Sequence, residues 1–347
     1  MWGKDIAIDL GTSQISIFIK KRGLVLREPS VVAVHKIDHS LFAVGDDAYK
    51  MIGRTPDNLE IVFPLRNGII SNFSLTCEMV KYFLHKVIKE SFIKPRIVVS
   101  VPTGISPVEK KSVLDAATAA GARSAYLMEE PLAAALGAGI DITRARGHMI
   151  VNIGGGICDV AVVSLCGIVA SHSIRVGGNS FNDAIIQYIK VHHHTLIGDV
   201  TAEEVKLTIG NVFPMDTEMQ IKVKGQSIIT GLPETISVSS VEIRNVFEDN
   251  LFLILSAIRD VLEDTPPEII SDIMLDTILL TGGGSLLMGL DLRLTKELGI
   301  STRVVDNATS CVIRGTGRCL RSFQMIEMLA INQTVKKKKN EYQKEYQ

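Results

Sequence analysis

Short apolar runs alternate along this chain with longer segments whose apolar residues recur at helical spacing. The run Ile97–Val101 is apolar apart from one serine, which is typical of a buried central strand, and the alanine-rich segment Val108–Ala122 predicts a helix. Upstream, the apolar positions of Cys77–Lys89 also have helical spacing. Strands that alternate with helices favour an α/β sheet covered on both faces.

The strand pattern begins twice. A strand, a glycine turn and a second strand are predicted for Ile6–Ile19 and again for Met149–Val163, so we expect two related halves. Leu24–Val34 is predicted to be strand in the first half. In the second half, helices are predicted for Asn179–His193 and Val241–Leu262, with a β-rich insertion between them.

Composition places the chain among soluble globular proteins. Its 347 residues are 46% hydrophobic and 22% charged, and they suffice for two domains with substantial cores. The net charge of −1 gives no global field that would favour nucleic acid as a partner. No window of about 18 apolar residues predicts a transmembrane helix. The first four residues lead straight into a strand rather than a signal peptide.

The cysteines and histidines carry little evidence of a metal site. The five cysteines are an odd number without a CxxC pair. We expect reduced, buried thiols in a cytoplasmic protein, with metal ligation as the alternative. The run His192–His194 suggests metal binding, but consecutive residues on a helix point in different directions, so we expect a solvated helix end.

Three glycine turns that follow strand-like runs are the first candidates for chemistry. The middle one, Gly154–Gly156, offers successive backbone N–H groups that favour an anion such as phosphate, although a glycine triplet can also be only a tight turn. The first, Gly11–Ser13, follows Asp9, which suits a hydrated magnesium ion. The third, Gly282–Ser285, would admit an adenosine or its α-phosphate close to the backbone.

These turns, in this order and with Glu129-Glu130-Pro131 before the middle one, resemble the actin, Hsp70 and sugar-kinase superfamily of ATP-binding proteins. Within it, the chain is similar to MreB, the bacterial actin family, over roughly Lys4 to Leu320. The runs that carry this similarity are Gly53–Pro56, Pro102–Ile105, Glu129–Gly139, Arg175–Phe181 and Thr201–Lys206. The resemblance implies an α/β fold of the actin-like (ribonuclease H-like) type, with two duplicated domains and a nucleotide cleft between them.

The resemblance also sets the expected domain bounds. We expect domain I at residues 1–146, with a small subdomain at about 30–70, and domain II at 147–333, with a small subdomain at about 182–250. The tail 334–347 is polar and basic, with four consecutive lysines, and is expected to be disordered.

The resemblance implies that ATP or ADP binds in the cleft with Mg²⁺. Glu130 matches the position that orients the attacking water, although a glutamate before proline can also simply stabilise a helix start. Magnesium would be held through water at Asp9 and, in weakened form, at Asn152. The implied nucleotide-binding residues are Asp9, Gly11, Thr12, Ser13 and Gln14 at the first turn, Gly154, Gly155 and Gly156 at the second, Glu203, Glu204, Val205 and Lys206 near the ribose and adenine, and Gly282, Gly283, Gly284 and Ser285 at the third.

Three residues depart from the usual MreB pattern around the second turn. Asn152 replaces an aspartate, which weakens the electrostatic hold on magnesium. Ile157 and Cys158 replace two threonines and supply no hydroxyl for a γ-phosphate or its water. Removal of one oriented donor from such a site costs on the order of 10²-fold in rate. The hypothesis is therefore ATP binding with slow hydrolysis.

Two segments suggest contact with a membrane. Phe92 and Ile93 lie on a predicted turn flanked by lysines, which corresponds to the loop of MreB that inserts into the membrane face. The lysine tail would add about 1 kcal/mol of attraction per cation near anionic lipid. The alternatives are that Phe92 folds back onto the sheet edge and that the tail only aids solubility.

The resemblance implies a protein that binds ATP, polymerises head to tail into filaments at the inner face of the cell membrane and determines bacterial cell shape. Its partners would be further copies of itself, homologous paralogues and the membrane surface. One alternative is a regulatory paralogue that binds ATP and co-assembles with an active homologue but hardly hydrolyses. A small-molecule kinase is another, for which no acceptor-site base is evident. A chaperone is disfavoured because no peptide-binding segment follows the third turn.

Overall fold

The computed structural model describes residues 5–88, 94–322 and 324–330. The first part of the chain forms β1 (Asp5–Leu10), β2 (Gln14–Ile19), β3 (Gly23–Pro29), β4 (Val32–His35), β5 (Leu41–Val44), α1 (Asp46–Tyr49), β6 (Leu59–Val62), β7 (Leu65–Arg66), β8 (Ile69–Ile70), α2 (Phe73–Val87), β9 (Arg96–Val101), α3 (Pro107–Ala119), β10 (Ser124–Glu129) and α4 (Glu130–Gly137).

The second part forms β11 (His148–Ile153), β12 (Cys158–Ser164), β13 (Gly167–Ile174), α5 (Gly178–His192), β14 (Thr195–Leu196), α6 (Asp199–Ile209), β15 (Gln220–Ser227), β16 (Pro233–Ser239), α7 (Ser240–Val246), α8 (Glu248–Glu263), α9 (Pro267–Leu275), β17 (Ile278–Thr281), α10 (Leu290–Leu298), β18 (Thr302–Val304) and α11 (Cys311–Cys319). The 3₁₀ turns Gly283–Leu286 and Ala308–Ser310 precede α10 and α11, and residues 324–330 are helical.

A pair of five-stranded sheets with the same topology forms the centre of the described structure. Their strand orders are β10-β9-β1-β2-β3 and β13-β12-β11-β17-β18. In each sheet an antiparallel meander of three strands pairs in parallel with later strands, β9 beside β1 and β17 beside β11. The smaller sheets β5-β4-β6 and β14-β15-β16 lie within the two small subdomains expected from the sequence. The domain bounds themselves stay a prediction.

Most predicted elements are present, with shifts of a few residues at their ends. The predicted central strand is β9, which lies between β1 and β10. α3 begins one residue earlier than predicted because Ser106 and Glu109 form a capping box, in which each side chain accepts a hydrogen bond from the other's backbone N–H. α2 begins at Phe73 because the Asn72 side chain accepts a hydrogen bond from the N–H of Leu75.

Two predicted elements are divided in the structure. The strand predicted over Leu24–Val34 is β3 and β4, which belong to different sheets. The chain leaves the first sheet at Ser30, whose backbone N–H donates to the carbonyl oxygen of Ser13 at 3.0 Å. The helix predicted over Val241–Leu262 is interrupted at Phe247, whose fully buried ring packs against that of Phe181 at a centroid distance of 4.8 Å.

The two five-stranded sheets share one buried layer, which is formed by α4 and α11. Ala7 and Val98 of the first sheet and Ile150 and Val163 of the second belong to the same apolar cluster as these helices. The outer face of the first sheet is covered by α2 and α3, and that of the second by α5, α6 and α8. The residues that join the two sheets are therefore core residues of both.

α4 and α11 cross at backbone contact distance. An ideal Cβ at Gly315 would lie 1.7 Å from the carbonyl oxygen of Ala133, and one at Gly137 would lie 2.0 Å from that of Cys311. Both positions need glycine because the obstacle is backbone rather than a flexible side chain. The Cys311 thiol donates to the carbonyl oxygen of Ala134 at 3.2 Å, which fixes the pair of helices further.

None of the described helices is long and apolar enough to cross a bilayer. The predicted membrane residues Phe92 and Ile93 lie outside the described residues, as does the tail 334–347. Membrane contact therefore stays a prediction.

We expect Gly315→Ala to lower the free energy of unfolding by about 3 kcal/mol, because the added methyl group must separate α4 from α11. Gly198→Ala is the matched control, since nothing lies within 4 Å of its added Cβ. It should change the free energy by less than about 1 kcal/mol. Urea unfolding measures both variants, and equal losses would contradict the importance of the crossing distance.

Candidate active site

The first and second glycine turns lie against each other at the junction of the two sheets. An ideal Cβ at Gly155 would lie 1.9 Å from Ser13 Oγ, and one at Gly156 would lie 2.8 Å from Thr12 Oγ1. Close approach, and not a positive φ, is the reason for these glycines. Thr12 Oγ1 also accepts a hydrogen bond from the N–H of Gly68 at 2.8 Å. The structure thus brings the first two predicted phosphate turns together.

The N-terminus of α5 is bound to the second turn. The N–H of Gly178 donates to the carbonyl oxygen of Gly154 at 2.9 Å, and the N–H of Asn179 donates to that of Gly155 at 2.7 Å. The Asn179 side chain also accepts a hydrogen bond from Ser13 Oγ at 3.3 Å. Sequence analysis missed Asn179 as a site residue, although it follows a glycine pair within one of the runs that carry the family resemblance.

The third turn packs against the end of β11. Gly282 has a φ of +83°, and an ideal Cβ there would lie 2.2 Å from the carbonyl oxygen of Ile153. One at Gly284 would lie 2.4 Å from Ile153 Cγ2. Ser285 Oγ closes the turn by donating to the carbonyl oxygen of Gly282 at 2.7 Å. All three glycine turns therefore surround one site.

Each large sheet carries a row of polar residues beside its glycine turn. Asp9 and Asn152 each stand two residues before the first glycine of their turn, on the equivalent strands β1 and β11. Their paired neighbours form the rest of the rows, which are Ser16, Asp9 and Ser100 in the first sheet and Asp159, Asn152 and Thr281 in the second. The duplicated fold thus places a carboxylate on one side of the site and an amide on the other.

Asn152 links Glu130 to the second sheet. Its Nδ2 donates to Glu130 Oε2 at 2.8 Å, and its Oδ1 accepts a hydrogen bond from Thr281 Oγ1 at 3.0 Å. Glu130 is the first residue of α4 and is only 9% exposed. The predicted catalytic residue and the predicted weakened metal position are therefore in direct contact.

Three carboxyl groups lie near one another in this site, and each has a raised pKa. Burial raises the pKa of Asp9 to about 6, although the Ser100 hydroxyl donates to its Oδ1 at 2.9 Å. Burial also raises the pKa of Asp159 to about 6, against the hydrogen bond that its Oδ1 accepts from Thr103 Oγ1 at 3.2 Å. The pKa of Glu130 lies well above its ordinary value because of burial first and the charges of Asp159 and Asp9 next.

Asp159 was missed by the sequence analysis. It directly faces Asn152 across the β11–β12 hairpin, on the same side of the sheet, and it is fully buried. Cross-strand neighbours of this kind have Cβ atoms about 5 Å apart. The sequence contained a signal for Asp159. Side chains alternate between the two faces of a strand, so counting residues around the predicted glycine turn places Asp159 on the same face as Asn152, which contacts Glu130.

The two departures after the second turn have different surroundings. Ile157 and Pro102 both lie against Gly68, whose N–H donates to Thr12, so the Ile157 side chain lies at the site. Cys158 is fully buried in the apolar core of the second sheet, where burial raises the pKa of its thiol. Alternation along β12 turns the side chain at position 158 away from Asp159 and into the core, so only Ile157 bears on the absence of a hydroxyl at the site.

The predicted residues on α6 divide into two pairs. Lys206 Nζ donates to Glu203 Oε2 at 2.8 Å and to the carbonyl oxygen of Gly178 at 2.9 Å, which ties α6 to the N-terminus of α5. Val205 is instead a buried core residue, and Glu204 is exposed. Helical periodicity explains this division, since positions 203 and 206 are three apart and share one face, whereas the two positions between them point elsewhere.

Gln14 connects the first turn to the second sheet through an arginine. The Arg27 guanidinium donates to Gln14 Oε1, and its Nη1 donates to Thr309 Oγ1 at 3.0 Å. Thr309 belongs to the 3₁₀ turn that precedes α11 and lies beside the third glycine turn.

The described residues contain no group of three or more His, Cys, Asp or Glu side chains that would hold a metal ion directly. Asp9 offers a single carboxylate, which is the number that hydrated magnesium commonly takes from a protein. Asn152 fits less well, because both ends of its amide are already engaged by Glu130 and Thr281.

Two equivalent sheets, joined by a shared pair of helices and carrying opposed glycine turns, define the actin-like class of α/β proteins. A sequence profile described as "MreB/Mbl protein" matches residues 3–328, so the chain belongs to the MreB/Mbl family. The resemblance and the fold class predicted from the sequence are both confirmed.

Relatives of known name match nearly the whole chain. The cell shape-determining protein Mbl of Bacillus subtilis (strain 168) is 43% identical over 327 residues, which are 94% of this chain and 98% of the relative. The cell shape-determining protein MreB of Escherichia coli (strain K12) is 42% identical over 331 residues, which are 94% of this chain and 95% of the relative.

Solved structures show the same fold. MreB5 of Spiroplasma citri bound to ADP has a TM-score of 0.89 and 34% identity, and the match covers 94% of this chain and 98% of that one. A MamK double helical filament has a TM-score of 0.80 at 21% identity, over 93% of this chain and 100% of that one. The MamK likeness is evidence for the fold alone.

We expect Asp159→Asn to stabilise the metal-free, nucleotide-free protein at pH 8. The folded-state pKa of Asp159 is raised, so its ionised form opposes folding above about pH 6 and its protonated form does not. The gain should be on the order of 2 kcal/mol at pH 8 and should vanish as the pH falls toward 4. Urea unfolding in the presence of a chelator at several pH values measures it.

The control for this prediction is Asp141→Asn. Asp141 is exposed, and hydrogen bonds from Thr143 lower its pKa, so this variant should show no gain at pH 8. A gain from Asp159→Asn that does not depend on pH would contradict the assignment of a buried charge.

Proposed function

We propose that this protein is an actin-like, ATP-binding cytoskeletal protein that polymerises head to tail and determines bacterial cell shape. The observation that carries the proposal is the meeting of three glycine turns beside the buried Glu130, at the junction of two equivalent sheets. The relatives named above are cell shape-determining proteins, and MreB5 structures contain ADP or AMPPNP. Head-to-tail contacts do not close, so an open filament is the expected product.

The nucleotide would take its phosphates to the first two turns, Gly11–Ser13 and Gly154–Gly156, and its adenosine to the third, Gly282–Ser285. Support comes from the close approach of these turns, which glycine allows and which brings backbone N–H groups of the kind that bind anions to one place. Glu203 and Lys206 would lie near the ribose, because Lys206 is anchored to the residue that precedes Asn179.

Asp9 would hold a hydrated Mg²⁺, whose charge would offset that of the phosphates. The donor set fits this role, since Asp9 is a carboxylate fixed by the Ser100 hydroxyl beside the first turn.

Glu130 would hold the attacking water. The Asn152 amide fixes one oxygen of its carboxylate, so the group has a defined orientation. Positioning is most of what phosphoryl transfer requires. Hydrolysis would nevertheless be slow, because Asn152 adds no negative charge for magnesium and Ile157 offers no hydroxyl to the water.

We expect the purified protein to pellet with ATP and magnesium while it releases phosphate slowly. Glu130→Ala should still pellet, but its phosphate release should fall by about tenfold or more because the water is no longer held. Sedimentation and phosphate release measured in the same tube test both points. Rapid, Glu130-dependent release would contradict slow hydrolysis, and a failure to pellet under any nucleotide condition would contradict filament formation.

We expect Asn152→Asp to raise the rate of phosphate release by about tenfold, because it restores a carboxylate that would help to hold the hydrated magnesium ion. The matched control is Thr281→Val, which removes the hydroxyl that donates to Asn152 without adding charge. It should not raise the rate. An Asn152→Asp rate equal to that of the parent protein would contradict the assignment of the defect to this residue.

A regulatory paralogue is the second candidate function, and Asn152 and Ile157 favour it. Such a protein would bind ATP and co-assemble with an active homologue, with little hydrolysis of its own. In either role we propose a cytoplasmic location at the inner face of the cell membrane, for which the sequence around Phe92 and the lysine tail are the support.

A further inference from the structure

Ile157 joins the second glycine turn to the first half of the chain through an apolar contact. Its side chain is only 6% exposed. An ideal Cβ at Gly68 would lie 2.9 Å from Ile157 Cδ1, 3.2 Å from Ile157 Cγ2 and 3.0 Å from Pro102 Cγ. Gly68 lies in the turn between β7 and β8, and Pro102 directly follows β9. Ile157 and Pro102 therefore cover Gly68 from the two halves of the protein.

The turn that Ile157 contacts also lies against both phosphate turns. The N–H of Gly68 donates to Thr12 Oγ1 in the first turn. On the other side, an ideal Cβ at Gly156 in the second turn would lie 3.0 Å from the Cα of Asn67. The β7–β8 turn, which Ile157 contacts, therefore touches both phosphate turns.

Two further contacts near the second glycine turn join the halves of the chain through protein side chains alone. Asn152 bonds to Glu130, and Thr103 bonds to the buried Asp159, so β11 and β12 are each tied to the first half. None of these groups requires a phosphate to complete the contact. The apolar contact at Ile157 is also independent of charge.

A ligand shifts a conformational equilibrium only by the difference in its affinity for the two states. A hydroxyl at position 157 could bond to the terminal phosphate, so the separation of the two turns would depend on that phosphate. The Ile157 side chain instead contacts protein atoms alone. We propose that Ile157 is a specificity-determining residue that makes the site indifferent to the γ-phosphate, so that ADP and ATP support the same assembled state. This inference rests on the proposed function as a nucleotide-binding filament protein.

The test compares ADP with AMPPNP, which is not hydrolysed, on the full-length protein. Affinity is measured by titration calorimetry, and the critical concentration for assembly by sedimentation. For the parent protein, both quantities should agree between the two nucleotides within about threefold. For Ile157→Thr, affinity and assembly should favour AMPPNP over ADP by about tenfold. The conservative variant Ile157→Val should behave like the parent.

A second pair of variants tests the contact from its other side. Gly68→Ala adds a methyl group against Ile157 and Pro102, whereas Gly23→Ala adds one in another hairpin turn where nothing lies within 4 Å. The two glycines have similar φ values, +75° and +81°, so both substitutions strain the backbone alike. Gly68→Ala should separate the two nucleotides as Ile157→Thr does, and Gly23→Ala should not.

The outcomes distinguish this inference from the proposed function. A parent protein that favours AMPPNP by more than about tenfold in both measurements would overturn the inference and leave the filament function intact. Equal losses with both nucleotides in Ile157→Thr would also overturn it. If the parent protein binds nucleotide but never pellets, filament formation is wrong, and the affinity ratios of the parent and Ile157→Thr alone decide the inference.

Discussion

The backbone contact between α4 and α11 is the constraint on which the rest of the structure depends. The two helices form a single layer that is core to both large sheets, so their separation sets the distance between the sheets. At Gly315 no side chain can be inserted without displacing the backbone of Ala133. Because Glu130 is the first residue of α4, the packing that joins the two halves also delivers a carboxylate to the site between them.

The burial that holds the halves together shapes the electrostatics of the site. Glu130 lies where its charge is costly, and the charges of Asp9 and Asp159 add to that cost. The amide of Asn152 donates to the Glu130 carboxylate and accepts from the Thr281 hydroxyl. An ionised aspartate at this position could accept from Thr281 but could not donate to Glu130. The amide that we propose would weaken the hold on a cation therefore also satisfies the buried carboxylate, and both effects follow from its lack of charge.

The sequence predicts the parts of this site that rest on local pattern. The glycine turns, Asp9 and Glu130 follow strand-like runs or begin a helix, and family resemblance supplies their expected roles. Contacts that depend on packing between sheets could not be predicted in this way. Counting residues around the glycine turn could have paired Asp159 with Asn152 and placed Cys158 on the opposite side of the sheet, but the contact of Asp159 with Thr103 comes from the other half of the chain. The interruption of the predicted helix at Phe247 likewise comes from a distant aromatic ring, that of Phe181.

Thr12 and Ile157 contact the same glycine from the two halves of the chain, but by different kinds of interaction. In the first half of the chain, the Thr12 hydroxyl accepts a hydrogen bond from the N–H of Gly68 in the β7–β8 turn. Ile157, in the second half, contacts the same glycine with a hydrocarbon side chain. The N–H of Gly68 could donate to a ligand oxygen instead of the Thr12 hydroxyl, since both oxygens accept hydrogen bonds. A hydrocarbon has no such alternative, because its contact is strongest when water and charge are absent. The second turn of this protein is therefore tied to the opposite half by a contact that no phosphate can replace.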